Sequence, residues 1–575
     1  MPLSIPTGDY SIHVFMGDRS FSNTISIVGF TPQELQSLGH QGGGGGEGDS
    51  ASLSPAILYS TDLNDILWEY CLAGNPNNAN HLVLAAGHPH VSLDGGRTWT
   101  LANLGFQPRG HVMTEAGHAV LHGDPNMAIS SDGTLFLVEL FHVYGELNSV
   151  TGGILTGKVN SGVFTNSLIK KENVVTNGLS MDYTKLALDP STNTVYVSSF
   201  CEIPFSNEYC IWKSTDSGKT FIKYSFGDLD SKYGVTMHNI QSMDVMPNGE
   251  LIAGIRYYRS NEDDEDRVSL LRFNKDLSGV ELVHGVATPM LKYSLLPIYK
   301  DSKRSWLLEK GPKIAVDRSD LHPGRIYIAW VEAMSTIPNP VNKFGFDWGH
   351  NADVFISYSD DYGKTWHEAI RVNDDSGDAN QNFPSLRIDS EGTAHMSFLD
   401  KRENPDLPQY DVYYAKIVDG RVSRNTRVNE DHVYYWKTRD PGDYIESIAA
   451  YPSKVYIAHH CGNEAIIIDG IEMNSRTSTC IVALDPNLVG FPGEFFRGDA
   501  NSDTTVDLSD AITILSYLFY NGNAPYCKDA ADANDDGSID VSDAVRVLNV
   551  LFQGETFPVP SPTAGTDLTE DSFYC

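Results

Sequence analysis

The feature that most constrains this chain is a two-strand unit that recurs along most of its length. Short alternating apolar and polar runs, joined by an Asp, Asn, Gly or Pro turn, occur as NMAISSDGTLFLVEL (126–140), KLALDPSTNTVYVSSF (185–200) and SMDVMPNGELIAGI (242–255). The series continues as KIAVDRSDLHPGRIYIAW (313–330), SLRIDSEGTAHMSFLD (385–400) and SIAAYPSKVYIAHH (447–460), with CLAGNPNNANHLVLAAG (71–87) as a degenerate first copy. Period-two alternation on both sides of a turn-forming cluster predicts a β-hairpin. From residue 127 onward the copies start about 57 to 72 residues apart, room for four strands and generous loops. One such unit cannot bury its own faces, so the series predicts a ring of sheets packed on one another. The expected fold is an all-β propeller of seven blades, with six as the alternative because the first copy is weak.

A second repeat punctuates the first. SLDGGRTW (92–99), STDSGKTF (214–221) and SDDYGKTW (359–366) all read Ser-x-Asp-x-Gly-x-Thr-aromatic. In a hairpin turn, Asp94, Asp216 and Asp361 would accept hydrogen bonds from the turn backbone. The glycine would take a positive φ and the ring would pack beneath the neighbouring strand. The pattern resembles the Asp-box, or BNR repeat, of sialidase-like β-propellers. That resemblance implies a fold, and it places these turns on the face opposite the usual active site.

After the last hairpin the chemistry changes. RGDANSDTTVDLSDAITILSYLF (497–519) is followed by DAADANDDGSIDVSDAVRVLNVLF (529–552), with first acidic positions 33 residues apart. Loop one offers Asp499, Asn501, Asp503, the carbonyl of Thr505, Asp507 and Asp510. Loop two offers Asp532, Asn534, Asp536, the carbonyl of Ser538, Asp540 and Asp543. Hard oxygens at positions 1, 3, 5, 7, 9 and 12 suit a calcium ion, which takes six to eight oxygen ligands. Each loop runs into apolar residues at helical spacing, including Ala511, Ile512, Leu515 and Leu518, then Ala544, Val547, Leu548 and Leu551. Position 12 is Asp where calcium sensors carry Glu, and position 6 of loop one is Thr504 where loop two has a glycine. The duplicated pattern resembles a type I dockerin of the extended kind, with a Pro-rich tail and a terminal cysteine, over residues 497–575. The resemblance implies two calcium ions, a cohesin-like or self partner, and a setting of polysaccharide degradation.

The domain organisation expected is an N-terminal segment, 1–50, with the glycine run 42–46, a candidate for closing the propeller; the propeller, 51–490; and the dockerin-like region, 497–575. The formal charge of −34 excludes a nucleic-acid partner, which would need clustered Lys and Arg. No run of eighteen apolar residues is present, so no membrane span is expected. Six of seven cysteines fall into near neighbours: Cys201 with Cys210, Cys461 with Cys480, and Cys527 with Cys575. Disulfides persist in oxidising compartments, so an extracellular or cell-surface location is expected, with any signal peptide absent from this numbering. Cys71 is left over as a buried free thiol.

The sialidase resemblance implies three arginines that clamp a carboxylate, a Tyr–Glu nucleophile and an acidic residue. The early Arg-Ile-Pro motif of that family is missing. The remaining catalytic candidates are Asp400 and Arg402, in an Asp-x-Arg pattern, with Arg256 and Tyr257; an ion-pair brace is the competing role for the first two. His459 and His460 are adjacent, so on a strand they point to opposite faces and do not form a two-His metal site. Three functions stay open: a propeller that binds glycan or protein on its rim, a glycoside hydrolase, and a structural surface-layer or filament subunit assembled through the calcium loops.

Overall fold

The computed structural model describes residues 8–16, 19–27, 56–63, 69–85, 89–102, 111–114, 117–143, 150–161, 163–167, 184–200, 208–237, 240–259, 263–283, 312–333, 352–403, 405, 409–434, 445–468, 471–502, 505–520, 522–561 and 565–566. The chain forms two compact units, Met1–Ser52 and Leu53–Cys575. The first contains an antiparallel hairpin, Gly8–Met16 with Arg19–Ile27.

The second unit is built around seven antiparallel blades. Blade 1 comprises Cys71–Asn75, Asn78–Ala85, His90–Ser92 and Thr100–Leu101. Blade 2 comprises Gly117–Ile129, Thr134–Val143, Val150–Lys158 and Val163–Ser167. Blade 3 holds Lys185–Asp189, Thr194–Phe200, Glu208–Ser214 and Ile222–Asp228. Blade 4 holds Ser242–Val245, Leu251–Arg259, Asp263–Phe273 and Val280–Val283. In blade 5 the strands are Lys313–Val316, Ile326–Ala333, Ala352–Ser359 and Ile370–Arg371. Blade 6 has Gln381–Ile388, Ala394–Asp400 and Gln409–Val418, edged by two short strands, Arg421–Val422 and Thr426–Arg427. Blade 7 has Ile448–Tyr451, Lys454–Ile468 and Ile471–Leu484.

The fourth strand of blade 7 comes from the other end of the propeller sequence. Ile57–Asp62 pairs antiparallel with the third strand, Ile57 opposite Leu484 and Asp62 opposite Cys480. Tyr59 on this strand also donates to the Gly95 carbonyl of blade 1 at 2.5 Å. A strand from before the first blade thus closes the ring noncovalently. Within blade 7, Cys461 and Cys480 form a disulfide between the second and third strands.

The first strand of each blade lies innermost, and neighbours touch in ring order from blade 1 to blade 7 and back. Aligned, these strands read CLAGN, NMAIS, KLALD, SMDVM, KIAVD, SLRID and SIAAY. Position one repeatedly ties one blade to the next. Asn126 Oδ1 accepts from Leu186 N (2.9 Å), and Ser242 Oγ accepts from Ile314 N (3.0 Å) while donating to Pro312 O (2.7 Å). Ser385 Oγ likewise accepts from Ser447 N (3.0 Å) and donates to Ile445 O (3.1 Å). Satisfying backbone groups across blade boundaries keeps their burial from costing stability. Apolar side chains fill the clefts between blades; Phe136, Val138, Leu186, Val195 and Trp212, for example, pack blade 2 on blade 3.

The three octapeptides join the third and fourth strands of blades 1, 3 and 5. In each, Asp takes the backbone N–H of the Thr at 2.8–2.9 Å and its hydroxyl at 2.6 Å. The leading Ser accepts from the Gly N–H at 2.7–2.9 Å. The glycines sit at φ of 80–84°, where a Cβ is unfavourable. Desolvation alone would raise the Asp216 pKa, but hydrogen bonds from Thr220, Ser214 and Lys219 outweigh it and hold it at about 2. Ser359 is fully buried. Ser359→Ala therefore strands the Gly363 N–H, and denaturant unfolding is expected to show a loss of about 1–3 kcal/mol; an unchanged midpoint would contradict this role for the serine.

Candidate metal centre and the propeller rim

Past blade 7 the chain runs along the edge of blade 6. Lys416 and Arg421 lie over the Phe491 ring at 5.2 and 4.5 Å, Arg421 pairs with Glu494 at 2.8 Å, and Arg424 N donates to Gly490 O. Further on, Arg424 lies 6.0 Å over the Tyr526 ring. The segment that leads into the C-terminal helical region is therefore held along the edge of blade 6.

That region contains helices Leu508–Phe519, Lys528–Ala531 and Val541–Gln553, packed through Ala511, Ile514, Ala531, Ala544 and Val547. The two long helices begin inside the acidic loops, and each start is a capping box. Asp507 and Asp540 are the N-caps; Asp510 and Asp543 reach back from the third helical position. The last carboxylate of each loop also spans its own loop. Asp510 accepts from Asn501 N (3.1 Å) and Asp507 N (2.8 Å), and Asp543 accepts from Asn534 N (3.1 Å) and Asp540 N (2.8 Å). Both are fully buried. Position 3 is oriented the same way in both loops: Asn501 and Asn534 give their amide nitrogens to Ser509 Oγ and Ser542 Oγ, at 2.8 and 2.7 Å. That turns the amide oxygen towards the loop. Asp503 and Thr504 lie outside the described residues.

Loop two shows why a cation fits. Asp532 is buried, and desolvation raises its pKa. Asp543 is pushed up to about 6 by desolvation and then by the charges of Asp532 and Asp536. Carboxylates crowded this way are relieved by a divalent ion that accepts hard oxygens. Sequence inspection passed over Arg497, which is fully buried under this loop. Its Nη1 donates to Asp532 O at 2.8 Å, its Nε to Val559 O at 2.9 Å, and its Nη2 pairs with Asp535 Oδ1 at 3.0 Å. Its position directly before the first loop glycine was the only available signal.

Residues 497–552 match the family model described as dockerin type I domain. This part of the chain is a type I dockerin. The dockerin supports calcium-dependent docking to a cohesin-type partner. No curated protein matches the chain. Among solved structures, a protein of unknown function from Dyadobacter fermentans is 10% identical with a TM-score of 0.37, covering 67% of this chain and 97% of its own. Penicillium chrysogenum α-L-arabinanase, in complex with arabinobiose, is 12% identical at 0.37, covering 64% and 93%. A Hadza microbial sialidase is 10% identical at 0.35, covering 72% and 75%. No helix among the described residues is long and apolar enough to cross a membrane.

Within the dockerin, Gly537 adopts φ +79° at position 6 of loop two as expected of a tight calcium loop, and the equivalent place in loop one is Thr504. A β-branched residue is disfavoured at positive φ by about 1–2 kcal/mol. Gly537→Thr is therefore expected to weaken calcium at loop two roughly tenfold, and Thr504→Gly to strengthen loop one by a similar factor. Calorimetric titration of each variant checks both; equal affinities throughout would contradict the assignment.

The catalytic candidates fall in two blades, Asp400 and Arg402 in blade 6, and Arg256 and Tyr257 in blade 4. Arg402 binds Asp400 through Nε (2.9 Å) and Nη2 (2.8 Å), Asp374 through Nη1 (2.5 Å) and Asn425 through Nη2 (2.8 Å), and lies 4.2 Å over Tyr413. Burial raises the Asp400 pKa against the pull of Arg402. Tyr413 donates to Glu403 at 3.0 Å but packs in the core between blades 5 and 6. Arg256 is buried with Nη2 3.4 Å from Val331 O, and Tyr257 packs in the core between blades 3 and 4. His459 Nδ1 approaches the His460 carbonyl at 2.7 Å, and His460 meets the Tyr70 ring edge-on. Cys71 is a buried free thiol pushed up to about 12 by desolvation and then by Glu446, so it is unreactive. Cys210 and Cys527 are disulfide-bonded; Cys201 and Cys575 lie outside the described residues. So do most of the loops joining second to third strands, including 334–351.

Proposed function

We propose that this chain is an extracellular binding propeller that recognises glycan or protein on its rim and is carried to an assembly by its dockerin. The observation that carries the docking half is the internal symmetry of the dockerin surface. Ile512 and Phe519 on the first long helix are exposed, and so are Val545 and Phe552 at the equivalent places on the second. Exposed apolar residues on a surface organised by calcium fit a protein-docking face. The disulfides and the net charge of −34 favour an extracellular setting. The binding half is supported by the Asp400–Arg402 pair, whose guanidinium is engaged with Asp374 and Asn425 as a brace would be and not left open for chemistry. A carbohydrate array probed with the full chain, with parallel mass spectrometry for cleavage, tests the rim. Saturable retention without cleavage supports the reading, and turnover of a bound glycan would replace it with a glycoside hydrolase.

A further inference from the structure

The axis of the propeller encloses a cavity of about 450 Å³, lined by the innermost strands of all seven blades. It reaches the turns that carry Pro76, Pro190, Ser390 and Pro452, on the face that also bears the octapeptide turns. The third position of the aligned inner strands is alanine in blades 1, 2, 3, 5 and 7, which leaves room in the middle. Blade 6 places Arg387 there. Glu446, from the strand-leading segment of blade 7, binds Lys313 of blade 5 at 2.6 Å and Arg387 Nη1 at 3.1 Å. Lys185 of blade 3 lies within electrostatic reach of the same carboxylate. Among the described residues, three cations therefore surround one carboxylate, inside a protein of net charge −34. The other two acids of the lining are already engaged, Asp244 with Arg318 and Asp389 with His395.

Arg387 supplies a second, independent sign of a ligand. Only its Nη1 is engaged, by Leu386 O at 2.8 Å and by Glu446. Nε and Nη2 meet no protein acceptor, and 36% of the side chain is exposed although it lies on an innermost strand. That exposure opens into the cavity. A guanidinium edge with two parallel N–H donors is the geometry that holds an oxyanion bidentately, and a lysine ammonium cannot reproduce it.

We propose that the axial cavity is a binding site for a small doubly charged oxyanion, held by the open edge of Arg387 with Lys313 and Lys185 supplying the remaining positive charge. The site is separate from the rim and from the calcium loops. Its low dielectric strengthens each contact relative to water, while desolvation restricts occupancy to anions that use the guanidinium fork.

Sulfate is the probe. Thermal unfolding of the full chain, with calcium held constant and sodium sulfate titrated against sodium chloride at matched ionic strength, is expected to give a saturable rise in melting temperature. Arg387→Lys keeps the charge and loses the fork, so the sulfate midpoint is expected to rise at least tenfold. If that variant fails to fold, Glu446→Gln gives the opposite arm. It removes the carboxylate that competes for Arg387, and the midpoint is expected to fall at least threefold. A linear, unsaturable effect of sulfate in the parent chain would overturn the proposal, as would a midpoint that the folded variant leaves unmoved.

Discussion

Replacing Asp532 and Asp543 together with alanine is expected to abolish calcium binding at loop two and to reduce partner docking at least a hundredfold. Both side chains are buried, and Asp543 does three things at once. It stands at position 12 of the loop, closes the capping box with Asp540, and holds the Asn534 N–H across the loop. Losing a buried ligand of this kind removes the binding free energy that orders the loop. The pH dependence has a definite sign. With its pKa at about 6 in the calcium-free state, Asp543 binds its proton more tightly folded than unfolded, where a carboxyl titrates near 4. The calcium-free dockerin is thus most stable below about pH 4 with respect to this group, and loses that contribution as pH rises through about 6. Calcium competes with the same proton, so its affinity is full above about pH 6 and falls as pH drops through that value. Calcium titration at pH 5 and pH 7.5 checks the direction; equal affinity at both would contradict it.

The second large effect is at the ring closure. A chain beginning at residue 53 retains all seven blades, whereas one beginning at residue 64 lacks Ile57–Asp62. The third strand of blade 7 then becomes an open edge, with the buried Ile481, Val482, Ala483 and Leu484 beside it. Unpaired apolar edges recruit other chains. The shorter chain is expected to melt lower by about 5 °C or more and to move largely into an aggregated fraction in size exclusion. A peptide spanning 53–63 is expected to rescue it by adding back the missing strand. Identical melting of the two truncated chains would remove the closing role from this strand.

What could be read from the residues was what is local. Each hairpin announces itself by alternation and a turn, so seven copies predicted seven blades, including the weak copy at 71–87. The calcium loops were legible for the same reason, because ligand spacing and the following helix occupy one continuous segment. The closing strand was not legible. ILYSTD (57–62) is an unremarkable short strand, and its partner lies more than 400 residues away in sequence. The axial cluster was hidden likewise: Lys313, Arg387 and Glu446 come from three blades, and none sits in a motif. For Asp400 and Arg402, sequence located the pair but could not show that Asp374, Asn425 and Tyr413 already occupy the guanidinium.

The most direct test of the account is surface plasmon resonance of the full chain over immobilised cohesins of several types, first in millimolar calcium and then in EDTA. The account predicts saturable binding to at least one cohesin in calcium, loss of at least a hundredfold in affinity in EDTA, and recovery when calcium is restored. Binding that EDTA leaves unchanged, or no binding to any cohesin in calcium, would contradict it.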